Sequence, residues 1–138
     1  MKRAAVNPAF AETTAALRAL MLAHGHGMIV ALDDGARLIL HAHFPNPLKP
    51  KEPMLFGMVR PGKAYVGYHL MPLYMNARLT ALVTPALKRR MQGKTCFNFT
   101  AVDETLFKEL GVLTAQCTQG WEEDLARAVA AYRAGAKE

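Results

Sequence analysis

The sequence predicts a single α+β domain over residues 1–138, with one largely antiparallel sheet of about five strands packed against N-terminal and C-terminal helices. Two apolar segments flank an Asp-Gly turn, which is the pattern of a β-hairpin. Apolar residues recur with the helical period at both ends of the chain. The predicted strands follow one another directly instead of alternating with helices, which is typical of an α+β fold.

The first predicted helix begins at Asn7-Pro8, because asparagine caps a helix and proline fits its first turn. Its apolar face consists of Phe10, Leu17, Leu20 and Met21. The glycines of "HGHG" (24–27) end the helix, since glycine readily adopts the left-handed conformation. Glu12 and two threonines interrupt the apolar stretch, so the N-terminal segment indicates an amphipathic helix rather than a signal peptide.

Four strands are expected next. "MIVAL" and "RLILHAHF" form a hairpin around residues 33–36, and "MLFGMV" and "AYVGYHL" form a second one around residues 60–63. The segment 44–53 between them carries four prolines, which lack the backbone N–H that a sheet needs. We therefore expect a surface loop there.

The C-terminal half is predicted to hold three helices and a fifth strand. Thr84-Pro85 begins a short helix over 85–92 that Gly93 ends, and "KTCFNF" forms the strand. Asp103 caps the next helix, and Gly120 precedes the last one. The core-facing residues of these two helices are Leu106, Phe107, Leu110, Leu113, Trp121, Leu125, Val129 and Tyr132.

The formal charge of +6 favours acidic partners such as nucleic acid, phosphorylated metabolites or acidic protein surfaces. The basic residues are spread along the chain and no nucleic-acid-binding motif is present, so we expect no sequence-specific recognition of nucleic acid. No apolar run is long enough to span a membrane. The two cysteines form no C-x-x-C pair, and we expect reduced thiols and a cytoplasmic protein.

The segment "KRRMQGKTCFNF" (88–99) contains the Gly-Lys-Thr that ends a P-loop. A P-loop has a glycine five residues before its Gly-Lys, where this chain has Lys88, and it lies between a strand and a helix. Here the predicted order is helix, glycine, strand. The residues therefore favour a helix end rather than a nucleotide-binding loop.

Two His-x-His pairs, His24/His26 and His41/His43, resemble metal ligands. A zinc or iron site needs further ligands, and no cysteine or carboxylate stands at a convincing spacing. A polar helix end and a solvent-facing strand explain the histidines better. We predict no metal ligand.

The segment "KAYVGYHLMPLYMN" (63–76) places Tyr65 and His69 on one strand face and residues 66, 68 and 70 on the other. Tyrosine and histidine suit the rim of a pocket. "MIVAL" and "MLFGMV" are apolar on both faces, so a ligand or partner can cover the face that the helices leave open. The candidate ligand-binding residues are Tyr65, His69, Tyr74, Arg90 and Lys94. The alternative is a core strand whose Tyr and His tips reach solvent.

The segments "YVGYHLMPLY", "TPALKRRMQGKTCFNF" and "DETLFKELGVLT" resemble the YdhG-like group of bacterial domains of unknown function, from about Tyr65 to Thr114. The resemblance implies a small α+β domain with an antiparallel sheet. Some members are described as frataxin-like iron chaperones, which implies intracellular iron binding. Such chaperones use clustered carboxylates, whereas the first helix here carries only Glu12 and the cluster 122–124 suits a helix start. Iron is therefore the disfavoured cofactor.

These patterns favour a non-catalytic binding module for a small ligand, an anion being one candidate, or for a protein partner. No catalytic residue is predicted. One alternative is the frataxin-like iron chaperone. Another is an enzyme that uses His69 as a general acid or base, which would require a carboxylate or thiol within hydrogen-bond reach.

Overall fold

A computed structural model describes residues 7–136. The ends of the predicted domain, residues 1–6 and 137–138, lie outside this range. The strands are β1 (Ile29–Asp33), β2 (Leu38–Asn46), β3 (Lys49–Pro61), β4 (Val66–Leu70), β5 (Met91–Gln92) and β6 (Cys96–Phe99). The helices are α1 (Ala11–His24), α2 (Pro72–Met75), α3 (Ala77–Thr80), α4 (Pro85–Lys88), α5 (Glu104–Cys117) and α6 (Trp121–Ala136), and a 3₁₀ turn at Pro8–Phe10 precedes α1.

The strands form one antiparallel sheet in the order β1-β2-β3-β4-β6-β5. The predicted α+β class is confirmed, and the described residues give six strands where about five were expected. The first four strands follow one another as a meander. β6 then pairs with β4, which leaves the two-residue strand β5 at the edge.

The helices cover one face of this sheet. Helix α1 packs on β3 and β4, and α5 packs on α1. The largest fully buried side chains on this side include Leu17, Met21, Leu38, Leu40, Phe56, Tyr68, Phe97 and Phe99. The hydroxyl of Thr114 donates to the Leu110 carbonyl oxygen at 2.8 Å, so the buried Tyr68 hydroxyl, 2.6 Å away, is the donor to Thr114. This bond ties β4 to α5.

The opposite face of the sheet carries half-buried side chains. Direct cross-strand partners share a face, and Ile39 pairs with Met58, Met58 with His69, and His69 with Cys96. All four side chains are partly exposed. We call this side the open face.

The proline-rich segment 44–53 is not a loop, so that prediction was wrong. It continues β2 and β3 as a two-stranded ribbon, with Pro45 opposite Pro53 and a turn at residues 47–48. The pairing of β2 with β1 reaches only to His41, and the pairing of β3 with β4 begins at Gly57. Among residues 7–136 no strand therefore pairs with the outer edges of the ribbon, and a proline without an N–H is tolerated there.

The predicted helix over 85–92 is shorter than expected, and its end was placed wrongly. Thr84 does cap it, accepting from the Leu87 backbone N–H at 3.2 Å, but α4 ends at Lys88. Met91 instead pairs opposite Phe97 in the sheet. Gly93, at φ 77°, forms the turn of a β5–β6 hairpin rather than a helix end.

The N-terminal and C-terminal helices agree largely with prediction. Asp103 accepts from the Leu106 backbone N–H at 3.0 Å, and Gly120 breaks the chain at φ 66°. Tyr132 was wrongly assigned to the core, because 68% of it is exposed. In the described part of the chain, no helix combines the length and apolar character that crossing a bilayer requires.

Two local details near the predicted site differ from expectation. The β3–β4 turn closes between the Gly62 N–H and the Tyr65 carbonyl at 2.8 Å, so it spans 62–65 rather than 60–63. Tyr74 lies in the short helix α2, where no helix was expected. Helices α2 and α3 were not predicted.

Candidate functional site

A cavity of about 610 Å³ lies on the open face, between the β3–β4 turn and the β5–β6 hairpin. We call it the open-face cleft. It is lined by Arg60, Gly62, Lys63, Ala64, Tyr65, Gly67, His69, Gln92 and Cys96. The predicted pair Tyr65 and His69 is thus brought together, as the alternation along β4 indicated.

Gly67 forms the floor of the open-face cleft. It pairs with Arg60 on one side and with Asn98 on the other. A Cβ atom at this position would lie 3.5 Å from Cys96 Sγ and 3.8 Å from His69 Nε2. Without that atom, the thiol and the imidazole nitrogen border an open depression in the sheet.

A hydrogen-bond network holds one wall of the cleft. The Tyr65 hydroxyl donates to Gln92 Oε1 at 3.3 Å, and Asn98 Nδ2 donates to the same oxygen at 2.7 Å. The Cys96 thiol donates to Asn98 Oδ1 at 3.3 Å. Because both bonds to Gln92 use its oxygen, its amide NH₂ is left available as a donor on the cleft side.

Arg60 and Lys63 supply the charge of the open-face cleft. Burial, followed by the positive charge of Arg60, lowers the pKa of His69 below its ordinary value, so the imidazole is neutral at pH 7. Burial raises the pKa of the Cys96 thiol, a shift that a backbone hydrogen bond from Tyr68 partly offsets. Among the residues lining the cleft, only Arg60 and Lys63 are then charged.

The enzyme alternative needed a thiol or carboxylate beside His69, and Cys96 is its direct cross-strand partner. An activated Cys–His pair requires a thiolate and an imidazolium, or a shift towards them. Here both pKa shifts favour the neutral forms, and the thiol donates to Asn98. Cys96 and His69 are therefore close to each other, but their surroundings do not activate the thiol as a nucleophile.

The other three predicted site residues lie elsewhere. Tyr74 and Lys94 line a separate cavity of about 670 Å³, and Arg90 lines a third of about 550 Å³ beside Asp103 and Glu109. The β5–β6 hairpin accounts for the separation, because Gln92 lines the open-face cleft whereas Met91, Gly93 and Lys94 line the second cavity.

Sequence reasoning missed Arg60, Lys63, Gln92 and Cys96 as lining residues. Cys96 and Gln92 reach the cleft only through the pairings β4–β6 and β5–β6, which no local pattern indicates. The positive charge of the cleft is, however, visible in the sequence. Residues 53–102 contain no Asp or Glu but include Arg60, Lys63, Arg78, Lys88, Arg89, Arg90 and Lys94.

This acid-free segment carries +7, so the remaining 88 residues together carry −1. The net charge of the chain is therefore concentrated in one segment, which corrects the reading of the basic residues as spread along the chain. In the fold the segment forms most of β3, all of β4 to β6 and the short helices between them. Both the open-face cleft and the Tyr74–Lys94 cavity lie within it.

Neither the acidic cluster 122–124 nor the histidine pairs form a metal site in the described part of the chain. Asp124 is bonded to Arg78, Arg127 and Asn76, so its carboxylate is occupied by internal contacts. His24 is partly buried against α5 at Gly111, whereas the side chain of His26 is exposed. Within residues 7–136, no group of three or more His, Cys, Asp or Glu side chains is placed to hold a metal ion.

Comparison with protein-family models, with curated proteins and with solved structures found no match to this chain. The resemblance to the YdhG-like group stays a prediction.

Proposed function

We propose that the protein is a non-catalytic binding module whose open-face cleft takes a small anionic ligand. The observation that carries the proposal is the cleft's composition: two cations, Arg60 and Lys63, lie beside neutral donors, and no acidic residue of the described part of the chain lines it. Its volume of about 610 Å³ suits a small molecule. Its charge suits a carboxylate or phosphate group.

Arg60 and Lys63 would act differently on such a ligand. A guanidinium offers a planar fork of N–H donors that matches a carboxylate or phosphate, whereas an ammonium acts as a compact point charge. Arg60 lies in β3 and is directly paired with Gly67, so its backbone is fixed beside the floor. Lys63 lies in the turn and is exposed. We therefore expect Arg60 to contribute more of the affinity.

The neutral groups would orient the ligand. Gln92 is held by Tyr65 and Asn98 and can donate its NH₂. The neutral His69 offers either a donor or an acceptor nitrogen, depending on its tautomer. A site with preset donors loses little conformational entropy on binding.

Titration with inorganic phosphate and, separately, with a simple monocarboxylate tests the proposal, followed by amide chemical shifts. We expect saturable shifts that centre on Tyr65, Gly67, His69 and Gln92. Arg60→Gln should weaken binding by about tenfold or more, since it removes a charge-assisted hydrogen bond. Lys63→Ala should weaken it less.

Lys108→Ala is the matched control, because Lys108 is an exposed lysine on α5 outside the cleft. It should bind as the unmodified protein does. Shifts spread evenly over all surface lysines, or an Arg60→Gln variant with unchanged affinity, would contradict the anion site.

A further inference from the structure

The cavity that holds Tyr74 and Lys94 is separate from the open-face cleft. It measures about 670 Å³ and lies between helices α2 to α4 and the β5–β6 hairpin. Its lining residues include Tyr74, Lys88, Met91 and Lys94. We call this cavity the lysine groove.

An exposed aromatic ring forms one wall of the lysine groove. Tyr74 is 58% exposed although its neighbours in α2, Pro72 and Leu73, are buried. Its backbone N–H donates to the Met71 carbonyl at 3.0 Å. The ring is therefore presented to solvent by an anchored backbone, and a planar group can stack on it.

One ammonium group lies near this ring, and a second lines the same groove. The Lys94 Nζ atom lies 5.5 Å from the ring centroid of Tyr74, within the range of a cation–π contact. Lys88 lines the same groove, and among residues 7–136 no acidic side chain lines it. An anionic group in the groove would therefore meet two ammonium groups, whereas a second cavity lined by Tyr74 contains Glu52.

Basic side chains continue beyond the groove. Lys88 is followed directly by Arg89 and Arg90, which line the next cavity together with Asp103 and Glu109. A single small anion would use only one part of this series. A chain of regularly spaced phosphates would use several parts at once, and releasing its counterions would add to the affinity.

We propose that the lysine groove binds single-stranded nucleic acid without sequence preference, with a base stacked on Tyr74 and the adjoining phosphates near Lys94 and Lys88. Cationic grooves with exposed aromatic rings bind single strands in this way, because every base has a face that can stack. A duplex keeps its bases stacked internally and cannot use the ring. The proposal does not depend on the anion site in the open-face cleft.

Fluorescence anisotropy of a labelled oligothymidylate with the full chain tests this inference. We expect saturable binding at low salt that weakens as salt rises. Tyr74→Ala should weaken binding on the order of tenfold, whereas Tyr74→Phe should retain it because the ring remains. Lys94→Ala and Lys88→Ala should each reduce the salt slope by about 0.7.

Two control variants match these changes. Tyr132→Ala removes an exposed tyrosine from α6, and Lys108→Ala removes an exposed lysine from α5. Both should bind the oligonucleotide as the unmodified protein does. Thermal melting of each variant shows that it is folded.

Three results would overturn the inference. Equal losses for Tyr74→Ala and Tyr132→Ala would mean that charge alone binds the strand. A duplex that competes as well as the single strand would exclude stacking. Thymidine monophosphate that competes as well as the oligonucleotide, at equal nucleotide concentration, would identify a free nucleotide as the ligand.

The variant Arg60→Gln separates this inference from the proposed function. It should weaken phosphate binding in the open-face cleft by about tenfold or more and leave the Tyr74-dependent part of oligonucleotide binding unchanged. The two assays can therefore refute the anion site and the nucleic-acid site independently of each other.

Discussion

The two faces of the sheet differ sharply although they share the same strands. Along β4 and β6, Tyr68 and Phe97 point into the helix-covered core and are fully buried, while their neighbours His69 and Cys96 point to the open face and are half-buried. The covered face contains almost only apolar groups, and the open face carries the ionisable and hydrogen-bonding ones. Stability is therefore concentrated on one face and ligand chemistry on the other.

Substitutions at two adjacent residues of β6 should show this difference most strongly. Phe97→Ala removes a fully buried ring that pairs opposite Tyr68 and Met91, so we expect a loss of about 3–5 kcal/mol in the free energy of unfolding. Cys96→Ala removes a half-buried thiol from the open face and should cost about 1 kcal/mol or less. Chemical denaturation measures both.

Cys96→Ala should keep phosphate binding measurable, whereas Phe97→Ala tests only the core. Equal destabilisation by the two substitutions would show that the open face is as tightly packed as the covered one, and the comparison would then fail.

Two glycines allow the same substitution on each face. A Cβ at Gly57 would lie 2.7 Å from the His69 carbonyl oxygen and 2.9 Å from Met21 Cε, so something must move. We expect Gly57→Ala to destabilise the fold by about 1–3 kcal/mol. A Cβ at Gly67 meets Cys96 Sγ at an ordinary contact distance of 3.5 Å. Gly67→Ala should leave the stability unchanged or slightly increased.

For phosphate binding we expect the opposite order, with the larger effect in Gly67→Ala. Gly67→Ala places a methyl group on the floor of the open-face cleft and should weaken phosphate binding, while Gly57→Ala should bind normally once folded. Thermal melting and phosphate titration of both variants decide this. Normal phosphate affinity of Gly67→Ala would place the ligand elsewhere.

Much of the fold was predictable because its signals are local. Asp103 caps α5 as expected, and the alternation of Tyr68 and His69 assigned the two faces correctly. The proline ribbon and the β5–β6 hairpin were missed for a different reason. Pro45 is tolerated in a strand only where no further strand pairs with that edge. Gly93 turns a hairpin instead of ending a helix because Met91 pairs with Phe97.

The candidate site was predictable only in part, for the same reason. Tyr65 and His69 share a strand, so their proximity follows from the period of two. Tyr74 and Lys94 do meet, but on the other side of a hairpin that the sequence did not reveal. Cys96 became a neighbour of His69 only through non-local pairing.

The smallest predicted effect concerns the protonation of His69. Its pKa is lowered in the folded protein, first by burial and then by Arg60, while in the unfolded chain it is about 6.5. Between these two values the unfolded state binds more protons, so His69 makes the protein less stable as the pH falls below about 6.5. Above that pH it has no such effect.

Arg60→Gln should raise the pKa of His69 part of the way towards 6.5, because it removes the charge but not the burial. Bound phosphate should also raise it, since an anion beside Arg60 favours the imidazolium. Titration of the His69 ring protons by NMR, assigned with His69→Gln, measures each shift. A pKa that stays unchanged in Arg60→Gln would place the guanidinium too far from His69 for a shared site, and one that stays unchanged when phosphate binds would do the same for the anion. A rise in both cases would support a single cleft in which Arg60, His69 and the ligand interact.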